Sequence, residues 1–197
     1  MATHEHRIDT NLPVDRVWEF VREMDHWAPF LTGYQSHEKQ SDTESVWTLK
    51  GDVGVLARTL RFRVTVTEWA GPSRVRFALK GLNEPMSGEG AFTMEAIGAS
   101  APAAESAAPE RPRGLAALWD RIVRFFFRRY RAPVAPRALA AGTATTRMTF
   151  RLRVDPGGPM APMIDALMKP AMAAAAEDLA QRIIAHLESA QASGAAD

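Results

Sequence analysis

The chain has no cysteine among its 197 residues. A disulfide scaffold, a cysteine-ligated zinc or iron–sulfur site and a thiol nucleophile are therefore excluded. Uncharged hydrophobic runs long enough to span a bilayer are missing, and residues 1–10 lack the apolar stretch of a secretory signal. With 46% hydrophobic and 24% charged residues, the composition is typical of a globular protein, and we expect a cytoplasmic location.

Catalytic and metal-binding motifs are also scarce. The sequence contains no G-x-S-x-G motif and no phosphate-binding loop, and Gly88-Glu89-Gly90 opens a predicted strand with no helix behind it. No histidine pair has helical metal-ligand spacing with a carboxylate between its members. We therefore expect no metal site and histidines that lie at the surface, namely His4, His6, His26, His37 and His186.

Strict alternation of apolar and polar residues predicts antiparallel strands. Residues 59–69 place Leu60, Phe62, Val64 and Val66 on one face and threonines and arginines on the other. The same pattern recurs at 74–80, 88–96 and 146–154, and two earlier strands are expected around 34–42 and 44–49.

Two segments have helical periodicity instead. Residues 13–24 predict a short amphipathic helix, and residues 160–187 predict a long one that Pro170 should kink or divide. Residues 189–197 are expected to be disordered. The sequence thus predicts an α+β domain over 1–188, in which a curved antiparallel β-sheet wraps around a long C-terminal α-helix.

Residues 98–141 differ from the rest and read as an insertion between two strands. An Ala/Pro-rich linker leads into a predicted amphipathic helix at about 114–131, and residues 111–137 hold eight arginines against one aspartate. Aromatic residues on one side and arginines on the other are typical of a helix lying on an anionic membrane. The predicted membrane contacts are Trp119, Ile122, Phe125, Phe126, Arg121, Arg124, Arg128 and Arg129.

Other interpretations of this helix remain open. It could cover a cavity as a lid, lie in the groove of a partner protein, or pack on its own domain. Binding to RNA is the least favoured, because the chain outside the segment is net acidic and no RNA-binding motif is present.

Three short motifs resemble a known superfamily. Leu12–Trp18 (LPVDRVW), Met24–Phe30 (MDHWAPF) followed by Gly33, and Gly88–Phe92 (GEGAF) are similar to signatures of the SRPBCC superfamily, which includes START-like, polyketide cyclase and Bet v 1-like proteins. Within it, the chain most resembles the CoxG branch, whose members are accessory proteins of carbon monoxide dehydrogenase. The resemblance implies the helix-grip fold, with two short helices after the first strand.

The resemblance also implies a function. It predicts a deep cavity between sheet and long helix that binds a lipophilic small molecule such as a quinone or lipid, without a metal or covalent cofactor. It further implies peripheral association with the inner face of the cell membrane beside a molybdenum hydroxylase-type enzyme. The expected cavity residues are Trp27, Phe30, Leu31, Trp47, Phe62, Phe77, Leu79, Phe92, Met94, Met148, Met163, Leu167 and Met168.

The residues of the long helix independently favour such a cavity. Four of the nine methionines lie between 160 and 172, and a run of alanines follows, so the helix offers soft and small side chains to the sheet. The alternative is an ordinary core helix in which alanine supplies helix propensity.

An enzyme of the cyclase or dehydratase type and a partner-docking accessory protein without ligand are the alternative functions. A catalytic role would need polar groups in the cavity, and the weak candidate is Glu68, which alternation places on the inner face. The outer face carries a series of basic residues, which predicts a solvated surface with cross-strand ion pairs. These features favour a non-catalytic ligand-binding or accessory protein.

Overall fold

The computed structural model describes residues 1–53, 56–97, 145–159 and 161–194. The described residues form three α-helices, which are α1 (Val14–Val21), α2 (Met24–Trp27) and α3 (Ala161–Gly194), with a 3₁₀ turn at Ala28–Phe30. They also form the strands β1 (Ala2–Thr10), β2 (Tyr34–Lys39), β3 (Glu44–Val53), β4 (Leu56–Ala70), β5 (Arg74–Gly81), β6 (Met86–Ala96) and β7 (Thr146–Pro156).

The strands make one antiparallel sheet in the order β1-β7-β6-β5-β4-β3-β2. Neighbours in the chain from β2 to β7 are neighbours in the sheet, and β1 completes it by pairing with β7. The long C-terminal α3 and the short α1 and α2 after β1 complete the α+β helix-grip fold, and this prediction is confirmed. Residues 98–141, predicted as an insertion between two strands, lie outside the described residues.

Alternation along each strand separates an inner from an outer face. Val64, Leu79, Gly88 and Val154 occupy one row of the register on the inner face, and Ala2 continues this row onto β1. Outward residues are largely polar. Two irregularities interrupt the alternation, one in β2 between Tyr34 and Ser36 and one in β4 between Val66 and Glu68. Each places an extra residue in one strand, so residues beyond it change face.

The hydrophobic core lies at one end of the sheet, between α1, the C-terminal half of α3 and the strands β6 and β7. Its buried members are Leu12, Val17, Met94, Met148, Ile183 and Leu187. Val17 is fully buried because the apolar positions of α1 share one face at helical spacing.

The helix α3 departs from expectation in two ways. It is one continuous element through Pro170, which removes a single backbone donor without dividing the helix. It also continues to Gly194, so the expectation of disorder from residue 189 is wrong for 189–194. Alanine, glutamine and serine in this stretch are compatible with helix, and the helix is already nucleated by its packed portion.

We expect Met148→Ala to lower the free energy of unfolding by about 2–5 kcal/mol, because it leaves a cavity in the core. Urea denaturation measures the change. The matched control is Met163→Ala on α3, where the methionine is 43% exposed, and it should change stability by less than about 0.5 kcal/mol. Equal losses in the two variants would contradict this placement of the core.

Candidate ligand-binding cleft

The inner face of the sheet is covered unevenly. Among the described elements, α3 packs mainly against β1 and β7, at one side of the sheet. The apolar side chains farther across, on β4, β5 and β6, remain half-buried, namely Phe62, Val64, Phe77, Leu79 and Phe92. We call this partly covered apolar row the candidate cleft, because an apolar surface of this kind is typical of a site for an apolar molecule.

Two glycines of β6 make room for neighbouring groups in this row. A Cβ at Gly90 would collide with the ring of Phe77, and one at Gly88 would collide with the backbone of Arg153 and approach Leu79. The absence of a side chain at Gly90 therefore lets the Phe77 ring lie over the backbone of β6.

At the β2–β3 side of the sheet, α2 and the 3₁₀ turn contact the strands through Trp27 and the turn before β2. The Trp27 and Trp47 rings stack with centroids 5.6 Å apart, and Trp27 Nε1 donates to the Val21 carbonyl at 2.9 Å. Thr32 Oγ1 donates to Asp178 Oδ2 of α3 at 3.1 Å, which ties the following loop to the helix. These contacts fix α2 against β3, and the loop after the 3₁₀ turn against α3.

The predicted cavity residues do not form one group. Met94 and Met148 belong to the buried core, Met163 is exposed, and Phe30 lies against Phe20 and His186. Contact of any of them with a ligand stays a prediction. Trp47 is buried, and Leu31, directly after the 3₁₀ turn, is half-buried. The other half-buried members lie on the inner face, α2 and α3: Trp27, Phe62, Phe77, Leu79, Phe92, Leu167 and Met168.

A hydrogen-bonded chain that the sequence did not suggest lies beside the two stacked tryptophans. Tyr34 Oη and His37 Nδ1 are 2.9 Å apart, and His37 Nε2 is 3.1 Å from Asp25 Oδ1. The His37 side chain is only 5% exposed, and its ring stacks on Trp47 with centroids 4.8 Å apart. The expectation of a surface histidine is wrong here. Simple alternation places residues 34 and 37 on opposite faces, whereas the irregularity in β2 brings them together.

His4 and His6 also depart from the expected surface location. They occupy inner-face positions of β1, their rings stack with centroids 6.3 Å apart, and neither buried Nε2 atom has a hydrogen-bond partner among the described residues. Burial lowers the pKa of His4 and of His6, although Glu5 and Glu177 oppose this for His4 and His6 respectively. Both rings are therefore neutral at pH 7.

Glu68, the weak catalytic candidate, faces outward. The irregularity between Val66 and Glu68 moves it out of the alternation that predicted an inward carboxylate, and its register partner is Arg76. Its carboxylate pairs with Arg74 at 2.6 Å and with Arg76 at 3.1 Å. The inward placement is therefore wrong, and the residue belongs to the ion pairs of the outer face.

The outer face has the predicted cross-strand pairing of charges. Hydrogen bonds from Arg147 to Asp9 raise the pKa of the arginine, and Arg153 lies 3.6 Å from Glu89. The basic side chains with no ion pair in the part of the chain that the structure describes include Arg61, Arg63 and Lys80.

A separate depression of about 420 Å³ lies on the surface near the turn between β4 and β5. Trp18 and Trp69 meet there with ring centroids 5.3 Å apart, and Trp69 is 56% exposed. A Cβ at Gly71 would collide with the Trp18 ring, so this glycine is required for the close approach. The depression contains none of the predicted cavity residues.

Neither a metal-binding cluster nor a membrane-spanning helix is found among the described residues. Residues 1–53, 56–97, 145–159 and 161–194 contain no group of three or more side chains placed to hold a metal ion. No helix within these ranges is both long and apolar enough to cross a membrane.

The buried pair of histidines predicts acid sensitivity. Since their folded-state pKa values lie below the unfolded value near 6.5, stability should be complete above about pH 6.5 and fall as the pH drops. Glu5, whose pKa is lowered by its hydrogen bond with Arg151, loses its contribution to the free energy of unfolding only at pH values below the range in which the histidines titrate. We expect a His4→Phe, His6→Phe double variant to lose less free energy of unfolding between pH 7 and 5 than the unmodified chain.

Urea denaturation at the two pH values measures this difference. His26→Gln is the control, because His26 is exposed, and it should leave the pH dependence unchanged. An identical pH dependence in the double variant and the unmodified chain would contradict the assignment of the acid sensitivity to His4 and His6.

Comparison with known proteins supports the fold. A family model of the SRPBCC type matches residues 1–101. No curated protein sequence matches the chain.

Solved structures share the architecture at low sequence identity. A conserved protein from Geobacillus kaustophilus superposes with a TM-score of 0.62 at 11% identity, covering 95% of each chain. A protein from Thermus thermophilus gives 0.53 at 16% identity over 94% of this chain and 97% of that one. The Zhui aromatase/cyclase from Streptomyces sp. R1128 gives 0.48 at 13% identity over 94% and 93%.

At these identities the structural likeness is one of fold alone. The family model, in contrast, covers 101 of the 197 residues, slightly more than half of the sequence. With that match and the helix-grip architecture described above, the chain belongs to the SRPBCC superfamily of START-like proteins.

Proposed function

We propose that this protein binds a hydrophobic small molecule in the cleft between the middle strands and α3, and acts as a carrier or recruitment factor. The observation that carries this proposal is the half-buried row of apolar side chains on β4, β5 and β6, beside a helix that packs mainly on β1 and β7. Apolar surface left partly in water costs about 25 cal/mol per Å² relative to its burial. A ligand that covers this row would recover that free energy.

The proposed ligand is a quinone or another lipid. This choice rests on the motifs similar to those of the CoxG branch, particularly the glycine-containing stretch of β6 at Gly88–Phe92. The same similarity motivates the proposed partner, a redox enzyme of the molybdenum hydroxylase type such as carbon monoxide dehydrogenase.

Membrane association is the second part of the proposal. The basic and aromatic segment 114–131 lies outside the described residues, but the chain leaves β6 at Ile97 and enters β7 at Thr145, which are hydrogen-bonded to each other. Nearby, Met94 N donates to the Ser73 carbonyl in the β4–β5 turn. The exposed Trp69 therefore lies at the same end of the sheet, and tryptophan is favoured at membrane interfaces.

An enzyme of the cyclase or dehydratase type is the second candidate. The hydrogen-bonded chain from Asp25 through His37 to Tyr34 favours it, because a histidine between a carboxylate and a hydroxyl group is a common arrangement for proton transfer. A loss of turnover in Tyr34→Phe, with ligand binding retained, would favour the enzyme over the carrier.

Substitution in the middle of the cleft tests ligand binding. We expect Leu79→Gln to weaken binding of an apolar fluorescent naphthalene probe about tenfold, equivalent to about 1.4 kcal/mol, because a polar group is desolvated by the ligand. The matched control is Ala78→Gln, the adjacent residue on the opposite face of β5, which should leave the affinity unchanged.

Circular dichroism establishes that both variants fold, and mass spectrometry of organic extracts identifies any molecule purified with the unmodified protein. Equal affinity of the probe for the two variants would exclude the cleft as its site. A quinone or lipid in the extract that is lost in Leu79→Gln would identify the ligand.

Co-sedimentation with vesicles tests the membrane proposal. The intact chain should bind anionic vesicles in a salt-sensitive manner and neutral vesicles weakly, since each basic residue near an anionic surface contributes about 1 kcal/mol. Replacing Arg121, Arg124, Arg128 and Arg129 by glutamine should abolish binding. Replacing Arg61, Arg63 and Lys80 on the sheet by glutamine is the control and should preserve it. An intact chain that stays in the supernatant would refute membrane association.

A further inference from the structure

The positions of two protons follow from the chain that links Asp25, His37 and Tyr34. A carboxylate can only accept hydrogen bonds, so the contact of 3.1 Å with Asp25 requires a proton on His37 Nε2. In the form of His37 that carries one ring proton, that proton lies on Nε2 and Nδ1 is an acceptor. In this form the contact of 2.9 Å with Tyr34 Oη is a hydrogen bond donated by the tyrosine hydroxyl.

This arrangement removes the ability of Tyr34 to donate to anything else. Its one hydroxyl proton points at His37 Nδ1, and the phenolic oxygen keeps lone pairs that can accept. Within the described part of the chain, the Tyr34 oxygen has no other hydrogen-bond partner. It therefore offers a hydrogen-bond acceptor.

The surroundings hold this acceptor in a fixed position beside apolar side chains. Tyr34 is half-buried opposite Leu49 in the register, and its ring meets the Trp47 ring edge-on with centroids 6.2 Å apart. His37 is held by its stack on Trp47, and Trp47 Nε1 donates to Ser45 Oγ at 2.9 Å. Trp47 pairs in the register with Phe62, a member of the apolar row of the cleft.

We propose that the ligand of the cleft is an apolar molecule with a hydroxyl group, and that this hydroxyl donates a hydrogen bond to Tyr34 Oη. The proposal rests on the function proposed above and specifies the chemistry of its ligand: a lipid with a hydroxyl group, or a quinone in its reduced, quinol form. A carbonyl or ether oxygen at the same place would face the lone pairs of Tyr34 without a proton between them. Asp25 acts as a positioning residue, because it selects the tautomer of His37.

The test compares two probes that differ in one hydrogen-bond donor. At neutral pH the full chain should bind 2-naphthol about fivefold more tightly than 2-methoxynaphthalene, the effect expected for one neutral hydrogen bond. Tyr34→Phe should bring the ratio of the two affinities to about one while leaving the affinity for 2-methoxynaphthalene unchanged. Gln35→Ala, an exposed neighbour on β2, is the control and should keep the fivefold ratio.

A second variant tests the role of the tautomer. Asp25→Asn should also reduce the preference for 2-naphthol, because an amide can donate to Nε2 and free Tyr34 to donate. The Asp25 side chain is 73% exposed, so this substitution should leave the fold intact. A preference for 2-naphthol that survives in Tyr34→Phe would overturn the proposal, and one that survives only in Asp25→Asn would overturn the positioning role of Asp25.

The outcomes separate this proposal from the one on which it rests. Equal affinities of the two probes for the unmodified chain would overturn the hydroxyl preference and leave the apolar cleft standing. No binding of either probe would overturn the proposed function, and the hydroxyl preference with it.

Discussion

The packing of α3 against β1 and β7 decides which apolar side chains of the sheet are buried and which stay partly exposed. A helix of this length lies along one side of a seven-stranded sheet and cannot bury the inner face of every strand. Where it does pack, together with α1, the buried cluster around Val17 and Met148 forms the core. Where it does not, the apolar side chains of β4, β5 and β6 are only half-buried. The asymmetry separates a region that stabilises the fold from a region available to a ligand.

Polar groups lie at both edges of this apolar surface. At the β1 edge, the buried Nε2 atoms of His4 and His6 have no hydrogen-bond partner in the part of the chain that the structure describes, which reduces stability. At the β2 edge, the His37 side chain is 5% exposed and both of its ring nitrogens have polar partners. The contrast predicts different roles for the two edges: we expect the unsatisfied pair to make stability fall in acid, and the partnered chain to present a defined hydrogen-bonding group.

Much of the architecture could be predicted from periodicity. The alternation in β4, β5, β6 and β7 identified each strand, and the spacing of apolar residues identified α1 and α3, because these patterns reflect burial of one face. Prediction failed where one inserted residue changed the face of those after it. The irregularity before Glu68 turned a predicted inward carboxylate into an outer-face ion pair, and the one after Tyr34 brought His37 onto the same face as the tyrosine. The periodicity of the local sequence does not indicate where such an extra residue is inserted.

The sequence by itself determined the class of fold, the exclusion of cysteine chemistry, and the superfamily to which the motifs at Leu12–Trp18 and Met24–Phe30 pointed. These depend on residue type and spacing, which are local properties. Only the tertiary structure decided which apolar residues became core and which stayed half-buried, and it alone joined Asp25 to His37 and Tyr34. Those outcomes depend on where α3 lies across the sheet and on strand register, and both result from contacts between residues far apart in the chain.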